Sequence, residues 1–134
     1  MKNTFVLDAF AMLAYLQRER GSERVRDLLS TGQEDSSVIM NAINIGEVYY
    51  ILAQERPAGE ADFFIDLIVP ALNIRVELND VQDVIAAARI KAAHPLSYAD
   101  AFAAATAQKH AAVLLTGDPD FKHVEKSIDI EWLG

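Results

Sequence analysis

Short apolar runs alternate along this chain with longer segments whose apolar residues recur at helical spacing. The short runs predict five strands, over residues 4–7, 37–40, 74–78, 113–115 and 128–132. The longer segments predict helices over residues 9–17, 22–29, 44–55, 60–71, 81–93 and 98–110. Such alternation is typical of an α/β fold, in which helices cover both faces of a short, mostly parallel sheet.

The size and composition of the chain indicate one globular domain. Its 134 residues match a common domain length, and 51% of them are hydrophobic while 24% are charged. No apolar stretch reaches the roughly 18–20 residues of a membrane span, and the N-terminus lacks a signal-peptide pattern. The absence of cysteine excludes disulfides and thiolate zinc sites and fits a reducing compartment. We therefore expect a single domain over residues 1–134, without a membrane segment, in the cytoplasm.

The charge balance bears on what this domain can bind. There are 12 basic and 20 acidic residues, which give a net charge of −8. Such an excess of acid disfavours nucleic-acid binding unless some carboxylates hold divalent cations, which would reverse the local sign. The question is therefore whether acidic side chains lie where a merely solvated carboxylate would not.

Four acids share one predicted edge of the sheet. Asp8 ends the first strand, and Asp118 follows the fourth strand within a few residues. Glu47 and Asp100 fall in the predicted first turns of helices, which begin at the edge where strands end. Glu47 also has isoleucines four residues before and after it, which predicts an apolar helix face around its carboxylate. An isolated buried charge is too costly, so this carboxylate must be paired, protonated or bound to a metal.

Each acid taken alone also fits a structural role. Asp8 can cap the helix that follows it, and Ser97 with Asp100 fits a capping box. Asp118 opens an ordinary Asp-Pro-Asp turn sequence. Helix capping does not, however, require acids from four remote segments to share one edge, and their joint placement favours a binding site.

Clustered carboxylates without basic neighbours indicate a particular chemistry. They repel one another unless cations lie between them. Oxygen-only ligands select hard ions such as Mg²⁺ or Mn²⁺ over zinc or copper. Two such ions can activate a water molecule and stabilise the leaving oxygen of a phosphodiester, so no histidine or covalent nucleophile is needed.

Four segments resemble the PIN domain in their order and spacing. They are residues 5–9 (FVLDA), 44–48 (NIGEV), 97–101 (SYADA) and 114–121 (LLTGDPDF). The whole chain is similar to a VapC-type toxin ribonuclease of a type II toxin–antitoxin system. The resemblance implies a three-layer α/β/α sandwich and an endoribonuclease that uses Mg²⁺ or Mn²⁺ to cleave RNA. It also implies a homodimer and a cognate VapB-type antitoxin that blocks the active site.

The resemblance further implies roles for individual residues. It implies catalytic and metal-binding roles for four acids: Asp8, Glu47, Asp100 and Asp118. It implies supporting roles for four more polar residues: Thr116, Ser97, Asn44 and Asp120. The two hydroxyl groups would orient a carboxylate or a metal-bound water. The extra aspartate, Asp120, either assists the four acids or only caps a turn.

Basic side chains that would contact the RNA backbone lie in two parts of the chain. The candidates are Arg18, Arg20, Lys122 and Lys126. The two lysines follow the last acids closely. The two arginines are interleaved with glutamates, and a solvated surface of mixed charge accounts for them equally well.

Two other functions compete with a nuclease. A phosphatase of the haloacid-dehalogenase kind also has an aspartate after its first strand, but it needs a second acid two residues later. Phe10 occupies that position here, which argues against the phosphatase. The second alternative is a non-catalytic acidic module that binds metal or a partner protein. A metal titration combined with an RNA cleavage assay separates this module from an enzyme.

Overall fold

The computed structural model describes residues 4–30 and 37–134, and within these ranges five parallel strands form one sheet. The strands are β1 Thr4–Leu7, β2 Ser37–Asn41, β3 Arg75–Glu77, β4 Val113–Thr116 and β5 Asp129–Trp132. Their order across the sheet is β3-β2-β1-β4-β5, and every neighbouring pair is parallel. The predicted α/β class and parallel sheet are confirmed.

Helices connect the strands, as the periodicity predicted. They are α1 Ala9–Leu16, α2 Ser22–Leu29, α3 Ala42–Glu55, α4 Glu60–Phe63, α5 Val69–Ala71, α6 Val81–Ala93 and α7 Tyr98–Lys109. A π-helical segment, Phe64–Ile68, joins α4 to α5, so the predicted helix over 60–71 is continuous but irregular. Pro70 explains the irregularity, because proline has no N–H to donate to the preceding turn. A short 3₁₀ helix, Pro119–Val124, follows β4.

The sheet is covered on both faces, which gives three layers. Along β1, Phe5 and Leu7 belong to one apolar cluster and Val6 to another, as expected from the two-residue period of a strand. Helices α1, α2 and α3 pack on the first face, while α7 and the 3₁₀ helix pack on the second. Since the central strand is buried on both faces, the predicted sandwich architecture is confirmed.

Parallel pairing brings the ends of the strands to one edge. Leu7 at the end of β1 pairs with Leu115 of β4, so Asp8 and Thr116 follow side by side. In the described ranges, no helix is both long enough and apolar enough to cross a membrane.

Candidate metal centre

Asp8 is held firmly at the carboxyl edge of the sheet. Its side chain caps α1, since Oδ1 accepts a hydrogen bond from the Ala11 amide at 2.8 Å. Its second oxygen, Oδ2, accepts a short hydrogen bond from the hydroxyl of Thr116. Both residues are buried, and Asp8 retains only 2% exposure. The capping role and the central position at the edge therefore coexist in one carboxylate.

Thr116 also links Asp8 to the next acid. Its Oγ1 accepts a hydrogen bond from the Asp118 amide at 3.0 Å. Asp118 in turn caps the 3₁₀ helix, because its Oδ1 accepts from the Asp120 amide at 2.9 Å. One hydroxyl therefore fixes the positions of two acids from different strands.

Three carboxylates lie close enough to share an ion. Oxygens of Asp100, Asp118 and Asp120 are all within 4.8 Å of one another. Asp100 is buried in the first turn of α7, where its amide donates to the Ser97 side chain at 3.1 Å. Asp118 is half-buried and Asp120 is exposed, so the group opens to solvent on one side.

Glu47 joins these acids from α3, although two expectations about it are wrong. Helix α3 begins at Ala42, two residues earlier than predicted, so Glu47 lies beyond the first turn. Its predicted apolar face is not buried either, because Ile43 is 42% exposed. Glu47 is half-buried, and its Oε1 accepts a hydrogen bond from the Asn44 side chain at 3.4 Å.

Asn44 connects the elements on either side of the cluster. Its Nδ2 also donates to the Ala99 carbonyl of α7 at 3.0 Å, next to Asp100 in the sequence. The side chain is fully buried, yet its Oδ1 has no hydrogen-bond partner among the described residues. Buried oxygens are normally satisfied, so this acceptor suits a donor that the protein itself does not supply, such as a water molecule.

The electrostatics show that the acids act on one another. Burial raises the pKa of Asp8 to about 7, against the hydrogen bonds from Thr116 and Ala11, and the charges of Asp100 and Asp118 add to the rise. Burial also raises the pKa of Asp100 to about 6, with further contributions from Asp118 and Glu47. The pKa of Glu47 is raised for the same two reasons, burial and the charge of Asp118.

No basic side chain relieves this repulsion in the part of the chain that the structure describes. The ion pairs there join other residues: Arg24 to Glu131, Arg56 to Glu60, and Lys109 and His110 to Glu77, with a further contact from Lys109 to Asp83. The pKa values of Asp8, Glu47 and Asp100 are therefore raised, and within the described residues these carboxylates have no positively charged partner.

This donor set fits a hard divalent cation. Carboxylate oxygens are the ligands that Mg²⁺ and Mn²⁺ prefer. Mg²⁺ binds oxygen at about 2.1 Å, so two of its ligands on opposite sides lie roughly 4 Å apart. The oxygens of Asp100, Asp118 and Asp120 all lie within 4.8 Å of one another, which is close enough for them to share one ion.

The predicted basic residues do not contact the acids. Arg20 donates to the Gly134 carbonyl at 3.4 Å, and Arg18 lies in the same α1–α2 connection. Lys122 is exposed in the 3₁₀ helix that Asp118 caps, and Lys126 is exposed after it. Among residues 4–30 and 37–134, no hydrogen bond or ion pair joins any of them to the acids, so their role toward RNA stays a prediction.

One supporting residue was missed by the sequence interpretation. The Asn41 side chain caps α3 by accepting from the Ile43 amide at 2.9 Å. It also donates to Thr106 of α7 at 3.0 Å and to Asn79 at 2.8 Å. Asn41 therefore ties the helix of Glu47 to the helix of Asp100. An asparagine directly after an apolar strand is a typical helix N-cap, and that signal was available in the sequence.

Comparisons with known proteins relate both the sequence and the fold to a known family. A sequence profile of the PIN domain matches residues 5–127. No curated protein matched the sequence. The fold is similar to that of VapBC2 from Rickettsia felis, solved bound to a DNA fragment of its promoter. The identity is 12%, the TM-score is 0.74, and the match covers 98% of this chain and 99% of that one.

Two further solved structures are similar in fold. DNA-bound VapBC from Salmonella typhimurium has 19% identity and a TM-score of 0.72, with 96% of each chain covered. VapC20 from Mycobacterium tuberculosis, a toxin that cleaves the sarcin–ricin loop, has 19% identity and a TM-score of 0.70. That match covers 88% of this chain and 92% of the other.

Proposed function

Because the chain belongs to the PIN domain family, we propose that it is an endoribonuclease that depends on Mg²⁺ or Mn²⁺, a VapC-like toxin. The observation that carries this proposal is the group of unpaired acids at the carboxyl edge of the sheet. Three of them have oxygens within 4.8 Å of one another, and the pKa values of three are raised. In this proposal residues 1–134 form a single PIN domain that acts in the cytoplasm.

The metal-binding residues are the four acids Asp8, Glu47, Asp100 and Asp118, and Asp120 assists them. When bound, a divalent cation neutralises this set and supplies the acidity that makes water a nucleophile at neutral pH. Thr116 holds the Asp8 carboxylate through its hydroxyl and the Asp118 backbone through its oxygen. Ser97 fixes the first turn of α7, which sets the position of Asp100.

Asn44 has a separate task in this proposal. Its amide nitrogen holds the Glu47 carboxylate and the Ala99 carbonyl, which sets α3 against α7. Its buried Oδ1, which has no partner among the described residues, would accept a hydrogen bond from a bound water molecule. The chain itself thus positions ligands and orders water, and no side chain serves as a covalent nucleophile.

The partners of the protein follow from the same resemblance in fold. Three of the similar structures are VapBC structures, two of them bound to DNA, and on that basis we assign this chain a VapB-type antitoxin. The RNA substrate is proposed from the similarity to VapC20, which cleaves the sarcin–ricin loop, and the homodimer from the family resemblance alone.

The decisive experiment measures cleavage of a total RNA preparation by the purified protein with Mn²⁺ and with EDTA. The variants are Asp100→Asn and Asp8→Asn, which keep the size of the side chain. Glu77→Gln is the matched control, since its carboxylate is paired with Lys109 and His110 and is not one of the unpaired acids. We expect discrete fragments with Mn²⁺, and a cleavage rate at least about a hundredfold lower in the two aspartate variants. Loss of a residue that only orients a metal ligand costs less, about 10- to 100-fold.

Each result bears on the proposal. Cutting that persists in EDTA, or that is unchanged in Asp100→Asn, contradicts it. Absence of cutting together with absence of Mn²⁺ binding by calorimetry also contradicts it and favours the non-catalytic module. Full activity in Glu77→Gln alongside inactive aspartate variants supports it, because loss is then specific to the unpaired acids.

A further inference from the structure

An exposed aromatic ring borders the acidic cluster. Phe10 lies two residues after Asp8 in the first turn of α1, yet 44% of it is exposed. Neighbours of Phe10 in the same helix, Ala9 and Ala11, are buried. Single apolar side chains are often exposed on protein surfaces, so what distinguishes Phe10 is its position beside the acids and not its exposure.

The Phe10 ring packs against the backbone at Gly117, where no side chain occupies the space. Gly117 lies between Thr116 and Asp118, and a Cβ atom built on it would lie 2.3 Å from Cε1 of Phe10 and 2.7 Å from Cζ. These distances are shorter than any real contact, so a side chain at position 117 would displace the ring from this position. One side of the ring is therefore seated on the segment that carries Asp118, while the rest stays exposed.

The chemistry of the neighbouring site indicates what the ring would meet. A phosphodiester held at the acids carries a nucleobase on each side of it, within a few ångströms of the scissile bond. A chain of net charge −8 offers little general attraction for a polyanion. Stacking of a base on an aromatic ring is uncharged and independent of sequence, so it supplies affinity that the charge balance does not.

We propose that Phe10 is a base-stacking residue of this protein, seated on Gly117 and receiving an unpaired base beside the scissile phosphate. The assignment rests on the proposed ribonuclease function and adds a subsite to it. Phe10 makes no contact with the metal in this assignment; it binds substrate and so contributes to KM more than to kcat.

The test uses the full chain with Mn²⁺ and a short single-stranded RNA that contains the mapped cleavage site and a fluorescent adenine analogue next to it. The variants are Phe10→Ala, Phe10→Leu, which keeps apolar bulk against Gly117, and Phe10→Tyr, which keeps the ring. Phe63→Ala is the matched control, since Phe63 is 53% exposed on α4 and lines a different cavity with Leu16 and Arg56. Steady-state kinetics give KM and kcat, and stopped-flow fluorescence records quenching of the analogue before cutting.

We expect Phe10→Ala and Phe10→Leu to raise KM by about 5- to 150-fold, as for loss of one stacked base, and to lose the quenching. kcat should change by less than about twofold, because the acids are untouched. Phe10→Tyr and Phe63→Ala should behave like the unmodified protein in both measurements.

Three outcomes would overturn the assignment. Unchanged KM with retained quenching in Phe10→Leu would show that the ring does not meet a base. Equal impairment of Phe10→Tyr and Phe10→Ala, or a fall in kcat alone, would assign the ring to packing around Asp118. Absence of cutting by the unmodified protein refutes the ribonuclease itself, whereas normal cutting with unchanged Phe10 variants refutes only the stacking.

Discussion

Two groups of acidic side chains in this protein differ in what surrounds them. At the carboxyl edge of the sheet, burial and like charges raise the pKa of Asp8 to about 7 and of Asp100 to about 6. Glu77, at the end of β3, is also largely buried, and burial alone would raise its pKa. Hydrogen bonds from His110 and Lys109 outweigh that effect and hold the pKa of Glu77 below its usual value.

The difference separates acids that stabilise the fold from acids that cost stability. Glu77 accepts from His110 at 2.7 Å and lies 3.2 Å from Lys109, so its charge ties β3 to the end of α7. Asp100, near the start of the same helix, has other acids and the Ser97 side chain around it, and no ion pair within the described residues. Helix α7 thus contacts a charge-paired acid, Glu77, at its C-terminus and carries an acid without a basic partner, Asp100, near its N-terminus. Unpaired, buried carboxylates are kept where a site needs them.

The largest expected effect is the stabilisation of the acidic edge by metal. At a free Mn²⁺ concentration about 100 times its Kd, the unmodified protein should gain about 2.7 kcal/mol, or roughly 10 °C in Tm. Asp100→Asn should lose most of this gain, because the ligand set loses a charge. Glu77→Gln should keep the full gain but start from a Tm about 5 °C lower, since a partly buried ion pair is broken. Differential scanning calorimetry with Mn²⁺ and with EDTA measures both variants.

The proposed contrast between the two groups of acids is wrong if Mn²⁺ raises the Tm of both variants by the same amount. Equal Mn²⁺-induced shifts in Asp100→Asn and Glu77→Gln would mean that the edge acids do not bind the ion. A higher Tm of Asp100→Asn than of the unmodified protein in EDTA would support the contrast further, because it would show relief of repulsion.

Much of this contrast follows from the sequence, because strand ends fix where side chains meet. Asp8 and Asp118 follow strands that the apolar runs predicted, and parallel pairing then sets them at one edge. Helix α7 was predicted from Tyr98 onward, so the position of Asp100 in its first turn was also available. The fold class and the family resemblance are confirmed, and the roles of the individual acids stay predictions.

Other features depended on tertiary contacts that no local pattern contains. The proximity of Asp120 to Asp100 requires the 3₁₀ helix after Asp118 to turn back toward α7, whereas the Asp-Pro-Asp sequence fits any turn. The start of α3 is fixed by Asn41, whose side chain is satisfied by Asn79 and Thr106 from remote segments. The seat of Phe10 on Gly117 depends on the approach of α1 to β4, which spacing along the chain does not reveal.

A smaller effect, the pH dependence of stability, distinguishes the two groups by sign. The ordinary pKa of an aspartate is 3.8, and folding raises the pKa of Asp8 to about 7 and of Asp100 to about 6. The folded protein therefore binds more protons than the unfolded chain from about pH 4 to about pH 7, and stability in EDTA should fall as the pH rises from 6 to 8, by about 2 kcal/mol. Glu77 acts oppositely: its lowered pKa gives stability that is present above about pH 4.5 and lost only in more acidic solution.

Urea unfolding at a series of pH values measures this slope. Asp100→Asn should reduce it between about pH 6 and pH 8 without abolishing it, because Asp8 still titrates there, and Glu77→Gln should leave it unchanged. A stability that rises across this range in EDTA would contradict the picture of protonated edge acids. Addition of Mn²⁺ should reverse the slope, because deprotonated carboxylates bind the ion better.

The smallest expected effect tests whether pairing or partial burial makes Glu77 stabilising. Glu60 also pairs with a base, Arg56, which lies four residues earlier in the chain and 2.8 Å away, but both side chains are more than 40% exposed. Water screens such a pair, so Glu60→Gln should lower the Tm by less than about 2 °C, well below the loss in Glu77→Gln. Calorimetry of the two variants under the same conditions gives the ratio. A loss in Glu60→Gln as large as that in Glu77→Gln would mean that any ion pair stabilises this fold, and the contrast with the acidic edge would then rest on charge alone rather than on burial.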